Sequence, residues 1–510
     1  MGEKSQIKIG IVLNYINIFL GNLIPIFYTP IMLELLGKSE YGLYKLSSSV
    51  TSYLSLMSLG IGSAVTRYLI KYRLEQGQES EESIFGLFII IFQVIAFLTF
   101  LIGVVLVFNL DIWYSTSLNA EQLYRMKIIV FLMICNMVIS FSVSPYLSVV
   151  NAHEKFIFLQ FMNIITTCVG PIMNLVILWL GYASIGMAFS TLIMNLIIQL
   201  VYLIYVRKSL KIKPRYKNLK LDLLKEILTF SFWIFVANVI TQLYNATDTV
   251  MIGSIASLAT EGVAVYNIGA TFNSIMLSMS TGISNILAPK ANKMIFSNAS
   301  NEQLTDFVIK IGRIQSYIVS LILTGFVAFG QPFINFYVGV GYEESYWIAI
   351  LMMIPNMIPL TQSACLNIII AQNKHRFRSL VYLGIAILNV IGTWFMMKCM
   401  GIIGAALMTG IALFIGTGLI MNWYYDKKSG LNMIRFWKEI GKIYLLPFCM
   451  CFLILFISRF VNFYNLKILL MSILIYTLVF CIVQWLFIFN EYEKDLLRKP
   501  LKKLILKMKI

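Results

Sequence analysis

The stretch Leu35–Tyr72 reads "LLGKSEYGLYKLSSSVTSYLSLMSLGIGSAVTRYLIKY". It begins as a turn at Gly37, becomes an apolar helix dotted with serines and glycines, and leaves through Arg67 and Lys71. Its apolar content suits a membrane-crossing helix, yet it carries Lys45 and a run of hydroxyls: Ser47, Ser48, Ser49, Thr51, Ser52, Ser55 and Ser58. Small polar residues let helices approach closely, and they also suit the wall of a water-filled cavity. These fall on several helical faces, so packing and cavity lining are both open, and one helix can serve each on opposite faces.

The rest of the chain sets the class. Of its 510 residues, 59% are hydrophobic and only 12% are charged, a balance that no soluble domain of this size could cover with polar surface. Apolar runs of about 20 residues recur from end to end, each long enough to cross a bilayer. The runs are continuous rather than alternating, which excludes a transmembrane β-barrel. The class is an all-α polytopic membrane protein with about fourteen transmembrane helices. The second is expected at 42–66, the seventh at 229–256, the eighth at 262–288, and the eleventh and twelfth at 379–399 and 402–424. The first apolar run simply begins the first span, so no cleaved signal is expected.

The net charge of +17 would suggest nucleic acid in a soluble protein. Here the basic residues sit at span ends, which is a topology signal and leaves no case for a nucleic-acid partner. Most of the 40 Lys and Arg fall in the N-terminal segment, the even-numbered loops and the tail. The segment "RKSLKIKPRYKNLKLDLLK", Arg207–Lys225, holds eight of them. Both termini are therefore expected in the cytoplasm, with the protein multi-pass in a cytoplasmic membrane. The basic, amphipathic tail "RKPLKKLILKMKI" is expected to lie on the anionic inner leaflet. Membrane lipids are thus partners by necessity.

Arg207–Lys225 also divides two similar halves. Leu43-Tyr44 with Gly60-Ile61 matches Val265-Tyr266 with Gly282-Ile283, at an offset of 222 for both pairs. "NAHEKF" from Asn151 corresponds to "AQNKHRF" from Ala371 as a polar break after a fourth span. Six spans are repeated and two are appended, which makes the halves parallel repeats about an axis along the membrane normal. The expected division is a six-helix lobe at 1–208, a basic cytoplasmic linker at 209–228, a second six-helix lobe at 229–426, two additional helices at 427–490 and a basic tail at 491–510. Transporters bind substrate at the seam of such pseudo-symmetric lobes and rock the lobes about it.

The helix–turn–helix from Tyr28 to Tyr72 resembles the N-terminal signature of the Wzx-type polysaccharide transport family. "DTVMIGSIASLATEGVAVYNIGATF", Asp248–Phe272, is similar to a second motif of that family. The family lies in the superfamily of multidrug, oligosaccharidyl-lipid and polysaccharide exporters. The resemblance implies two lobes around a central cavity. It also implies a flippase that carries undecaprenyl-diphosphate-linked oligosaccharide to the outer leaflet of a bacterial cytoplasmic membrane by alternating access. Surface polysaccharide such as O-antigen or capsule would be the end product, with glycosyltransferases and a polymerase as functional partners, and the chain is expected to act as a monomer. Peptidoglycan-precursor flippases of the same superfamily carry arginines in the first span. Here that stretch is "GNLIPIFYTPIM", with Pro25 and Pro30 and no base.

A diphosphate sugar lipid needs cations for its head group, polar and aromatic groups for its sugars, and an apolar flank for its tail. Lys45, Arg67, Lys71 and Arg313 are the candidate head-group ligands. Snorkelling of Lys45 and simple topology at the other three are the structural alternatives. Charges within spans are expensive, which singles out Asp248 in "LYNATDTVMIG" for coupling or cavity polarity, with Glu34 and Glu261 near span ends as further candidates. Prolines at Pro25, Pro30, Pro145, Pro171, Pro289, Pro355 and Pro359 are expected to bend spans. The seven cysteines all lie inside apolar runs, and neither they nor His153 and His375 form a metal pattern.

No phosphate loop, zinc motif or nucleophile elbow is present in the sequence, so no cofactor is expected. Energy would come from proton or sodium coupling or from removal of product outside. An ion-coupled multidrug extruder of the same superfamily is the nearest alternative. A membrane glycosyltransferase or polymerase would need a large outer loop with catalytic carboxylates, whereas "NLDIWYSTSLNAEQ" and "QPFINFYVGVGYEES" are short. The chain is therefore read as a transporter and not an enzyme.

Overall fold

The structure, a computed structural model, describes residues 3–216, 223–372, 374–495 and 498. The centre of the expected linker (217–222) and nearly all of the expected amphipathic tail (499–510) lie outside the described residues. Among the described residues every regular element is helical.

The chain divides into two compact units, Met1–Asn267 and Ile268–Ile510. The first contains α1 (Glu3–Leu36), α2 (Lys38–Ser52), α3 (Ile61–Gln76), α4 (Gln78–Tyr114), α5 (Ala120–Ala152), α6 (Phe156–Trp179), α7 (Ala183–Tyr205), α8 (Leu223–Gly253) and the start of α9 (Ala259–Phe296). The second continues α9 and adds α10 (Asn301–Val338), α11 (Glu344–Thr361), α12 (Ser363–Ala371), α13 (His375–Leu413), α14 (Met421–Lys428), α15 (Met433–Ile457) and α16 (Leu466–Val483).

Ten helices among the described residues are long and apolar enough to cross a membrane, or eleven if the bent pair α11–α12 is one span. The expected eleventh and twelfth spans run together as Arg376–Lys428. That run kinks at Gly401, whose φ of 61° and ψ of −143° only glycine adopts easily.

The expected span 42–66 is not one helix. After α2 the backbone tightens into a 3₁₀ segment, Tyr53–Ser58, then passes through Leu59 (φ 49°) and Gly60 (φ 70°), both left-handed, before α3 begins. The cause is visible in the serine run. Ser47 donates to the Leu43 carbonyl at 2.8 Å, Thr51 to Ser47 at 2.7 Å and Ser52 to Ser49 at 2.6 Å. Such back-bonding competes with the regular helical ladder and weakens it. Gly60 then supplies the left-handed turn, with Ile234 packed where a Cβ would stand. The matching position in the second half behaves differently, since α9 runs through Gly282 without a break.

The first unit packs α1 on α6, α4 on α5, and α5 on α7. Its core gathers Tyr68, Phe85, Phe88, Phe92, Tyr146 and Tyr202, with Phe85 edge-on to Tyr146 at 5.1 Å. In the second unit α10 is the central element, packed on α11, α15 and α16. Phe329, Cys451, Phe463, Tyr476 and Phe480 form the core where α10 meets the last two long helices. Large exposed apolar side chains such as Phe108, Ile112, Phe452 and Leu478 lie along these helices, as the lipid-facing surface of a multi-pass membrane protein requires.

Candidate functional site

The hydroxyl face of α2 opens onto a cavity of roughly 410 Å³ in the first unit. Ser48, Thr51, Ser52 and Ser55 line one wall, and Met133, Asn136, Met137 and Ser140 of α5 line another. A second cavity of roughly 330 Å³ is bounded by Thr166, Pro171 and Asn174 of α6 and by Ser190 and Asn195 of α7. Asn136 and Thr191 line both. Asn136 is the middle residue of the 33-residue α5, so the cavities lie at mid-depth of the bundle. Neither lining contains a charged side chain.

The opening stretch therefore does both things its sequence allowed. Ser47 is fully buried, whereas Ser48 and Ser55 are exposed to the cavity. A hydrogen-bond network orders the opposite wall. Asn195 Nδ2 donates to the Asn136 carbonyl at 3.0 Å and to Ser140 Oγ at 2.8 Å, while its Oδ1 accepts from Gln199 Nε2 at 3.1 Å.

Beside this wall, α2 packs against α8 and the start of α9. Gly42 makes the approach possible, because a Cβ there would overlap the Thr260 carbonyl. Tyr53 pairs its hydroxyl with Thr247 Oγ1 at 2.6 Å, and Gln242 donates to Ser52 Oγ. Asp248 is 2% exposed and accepts the Tyr266 hydroxyl at 2.5 Å. Half-buried Lys38 and exposed Glu261 form an ion pair at 3.4 Å, next to a Ser39–Thr260 contact at 3.0 Å. Thus Asp248 and Glu261, two of the sequence candidates, belong to one α2–α8–α9 junction. Glu34 is exposed near the end of α1.

The candidate cations have unlike surroundings. Lys45 is half-buried on α2, with Nζ 5.5 Å from the centre of the Tyr41 ring. It precedes Ser48 by three residues, which puts the two on one helical face. Arg67 and Lys71 are exposed on α3, beyond the Leu59–Gly60 break, and Lys71 lies 5.8 Å from the Tyr72 ring centre. Arg313, in the second unit, is buried. Its Nε and Nη2 grip Glu493 at 2.6 and 2.9 Å, and Nη2 also donates to Tyr317 Oη and the Ile488 carbonyl, each at 2.9 Å. Tyr317 closes the clamp by donating to Glu493 at 2.8 Å.

Several polar residues escaped the sequence reading. Glu81 is 1% exposed and holds His153 Nε2 at 2.8 Å and Arg73 at 3.8 Å. Glu40 takes Arg125 at 2.8 Å and the Ser184 hydroxyl. Asn136 and Asn195 stand alone in apolar runs, and that isolation is the signal that could have found them. Among the described residues no group of three or more His, Cys, Asp or Glu could hold a metal ion.

Comparison with known proteins agrees with this architecture. The model of a family described as "Polysaccharide biosynthesis protein" matches residues 9–289. No curated protein matches the chain by sequence. Among solved structures the chain is similar to the lipid II flippase MurJ in an inward closed conformation. The identity is 15% and the TM-score 0.70, over 92% of this chain and 98% of that one. It is also similar to an inward-facing multidrug resistance MATE family transporter of the MOP superfamily, with 13% identity and a TM-score of 0.62, over 84% and 100% of the two chains. The MATE transporter VcmN of Vibrio cholerae in its bent form gives 15% identity and a TM-score of 0.53, over 84% and 98%. At these identities the likeness shows the fold.

Proposed function

The chain belongs to the polysaccharide biosynthesis protein family, and from that premise we propose that it is a flippase for undecaprenyl-diphosphate-linked oligosaccharide repeat units. It moves them from the inner to the outer leaflet of a bacterial cytoplasmic membrane, for surface polysaccharide biosynthesis. The observation that carries this reading is the mid-depth cavity of hydroxyls and amides, free of charge, within the region that the family model covers. Sugar units present many hydroxyls, and a wall of uncharged polar groups with Met and aromatic neighbours suits them.

The diphosphate needs a cation outside that wall. Lys45 stands one turn before Ser48 on the same face of α2, and Arg67 and Lys71 supply positive charge at the far end of α3. The substrate class demands alternating exposure of the site to the two leaflets. Asp248 is the candidate for coupling to a proton or sodium gradient, since a buried carboxylate at such depth is costly unless it is used or paired. Both termini are cytoplasmic in this reading. An impermeant thiol reagent applied to intact cells should label a cysteine placed at Asn119 and not one at Asn218. Glycosyltransferases supply the substrate and a polymerase consumes it, and the chain works as a monomer.

A second reading, an ion-coupled multidrug extruder, draws on Asp248 and on the shared fold. It lacks a carboxylate in the cavity wall, where a cationic drug would need one. The deletion strain separates the two. The flippase reading expects accumulated undecaprenyl-diphosphate sugar in lipid extracts and reduced surface polymer. Normal polymer with lost drug resistance would replace it by the extruder.

A further inference from the structure

The helix that walls the larger cavity stands between two joints. Gly37 (φ 78°) separates α2 from α1 at one end, and Leu59 (φ 49°) with Gly60 (φ 70°) separates it from α3 at the other. Between the joints the helix is loosened, because Ser47, Thr51 and Ser52 bond back to its own carbonyls and Tyr53–Ser58 is 3₁₀. A 3₁₀ stretch inside a span often marks a hinge. A leucine held in the left-handed region is a costly conformation of the kind that collects at switch regions. Packing divides at the same point. Beyond the break, Ile61, Ala64, Val65, Tyr68, Leu69 and Tyr72 of α3 are buried in one apolar core with α4, α5, α6 and α7. No residue of α2 belongs to that core. One flank of α2 borders the cavity instead. Its remaining ties include many exchangeable polar ones: Ser52 with Gln242, Tyr53 with Thr247, Ser39 with Gln122, Lys38 with Glu261 and Glu40 with Arg125. A close-packed core yields little, whereas a helix bordered by space and by exchangeable contacts can shift as a unit.

We propose that Lys38–Ser58 is a moving wall of the cavity, pivoting at Gly37 and at Leu59–Gly60 while α3 stays fixed in the core. The inference rests on the flippase reading and deepens it, by placing a moving part inside one unit. Rigid rocking of two lobes leaves the width between α2 and α5 unchanged, since both helices belong to the first unit. Pivoting of α2 changes that width, so the cavity can tighten around a cargo and release it. The device is confined to the first half, because the matching Gly282 lies inside the continuous α9.

The test measures the width and then fixes it. In a full-length variant with the seven native cysteines replaced, Ser55→Cys and Met137→Cys put one thiol on each wall of the cavity. The protein is reconstituted in liposomes. The rigid linkers ortho- and para-phenylenedimaleimide, one short and one long, report the widths visited, and mass spectrometry identifies the bridged protein. Both should bridge. A reducible bis-methanethiosulfonate bridge should slow transport of undecaprenyl-diphosphate-N-acetylglucosamine by about tenfold or more, as fixing a gating element does. A reductant should restore the unbridged rate in the same molecules, which sets misfolding aside. Gly60→Ala adds a Cβ against Ile234 at a left-handed position, and should slow transport and leave one width only. Leu59→Gly eases the same turn and should keep both widths, with transport within about twofold of the unsubstituted pair. Bridging by a single linker before any pivot substitution overturns the proposal. So does a bridged protein that transports at the unbridged rate, or Gly60→Ala with both widths and an unchanged rate. If the probe is not transported although both linkers bridge, the flippase reading falls and the moving wall stands.

Discussion

The two units differ in how many of their polar groups at membrane depth border open space. In the second, polar side chains meet each other. Asn356 donates to Asn273 at 3.1 Å, Thr324 meets the Tyr476 hydroxyl at 2.6 Å, Thr361 meets Tyr444 at 2.9 Å, and Ser363 donates to Gln315 at 2.7 Å. Arg313 and Glu493 do the same with full charges. The first unit makes such pairs too, Tyr53 with Thr247 and Asn195 with Ser140, but there the serines after Leu46 and the amides of α5 and α7 also surround space. A polar residue in a span thus has no fixed meaning; the partner opposite decides whether it is glue or lining. The contrast is between polar contacts that pack helices together in the second unit and polar groups that line cavities in the first.

The largest expected effect tests the glue. Glu493→Ala leaves Arg313 buried without its bidentate partner, and breaking a buried pair from one side costs about 3–5 kcal/mol. Thermal unfolding of the purified variant should show a large loss of stability and a low yield of inserted protein. The double variant Arg313→Met with Glu493→Leu should recover most of it, because removing both charges removes the unpaired one. Arg313→Lys should also lose stability, since an ammonium does not reproduce the planar two-point grip. A Glu493→Ala protein as stable as wild type would remove the clamp from the account.

That clamp also marks where the sequence stopped being readable. The long apolar runs were legible because lipid demands apolar surface over a whole span, and the composition alone excludes a soluble fold. Arg313 was visible as a charge near a span, but its partner stands 180 residues away in the short polar run after the last long helix. Nothing local distinguishes Glu493 from Glu491. The Leu59–Gly60 break was hidden for a different reason. Gly103 and Gly170 sit inside continuous helices, α4 and α6, so a glycine in an apolar run does not announce a left-handed turn. The serines were noticed and their double role was open, but which of them face space depends on α5 and α7. Asp248 was found because a carboxylate in an apolar run is expensive wherever it points.

A middle-sized effect sharpens the contrast directly. Asn136→Leu and Asn356→Leu make the same change in the two units. At Asn356 the variant strips the buried Asn273 amide of its donor, a loss of about 1–3 kcal/mol. At Asn136 the side-chain oxygen has no donor to lose, so stability should stay within about 1 kcal/mol of wild type. Export per inserted molecule should then fall in Asn136→Leu, while Asn356→Leu should lose export chiefly through lower protein level. Thermal unfolding with a blot-normalised complementation assay reads both. Equal destabilisation by the two variants would erase the difference between lining and glue.

The smallest structural effect is expected at Asp248, one side of a buried polar pair in the unit that also holds the cavities. Its carboxylate is buried and accepts a hydrogen bond, as the second unit's polar groups do, yet it sits in α8 against the cavity-bearing half. Asp248→Asn keeps an oxygen within reach of the Tyr266 hydroxyl and removes the titratable carboxyl group. If the residue is glue, the neutral amide serves as well, and both stability and export should hold. If it titrates during transport, export per inserted molecule should fall severalfold, because the amide still accepts from Tyr266 but has no exchangeable proton. Tyr266→Phe separates these roles from the other side. It removes the donor and keeps the carboxylate, so a coupling residue should retain gradient-dependent export there. Collapsing the proton gradient with an ionophore and, separately, exchanging external sodium for potassium provides the readout. Export that responds to one of these treatments in wild type and in Tyr266→Phe, but to neither in Asp248→Asn, identifies Asp248 as the coupling group. Wild-type export by Asp248→Asn would return it to the class of buried glue.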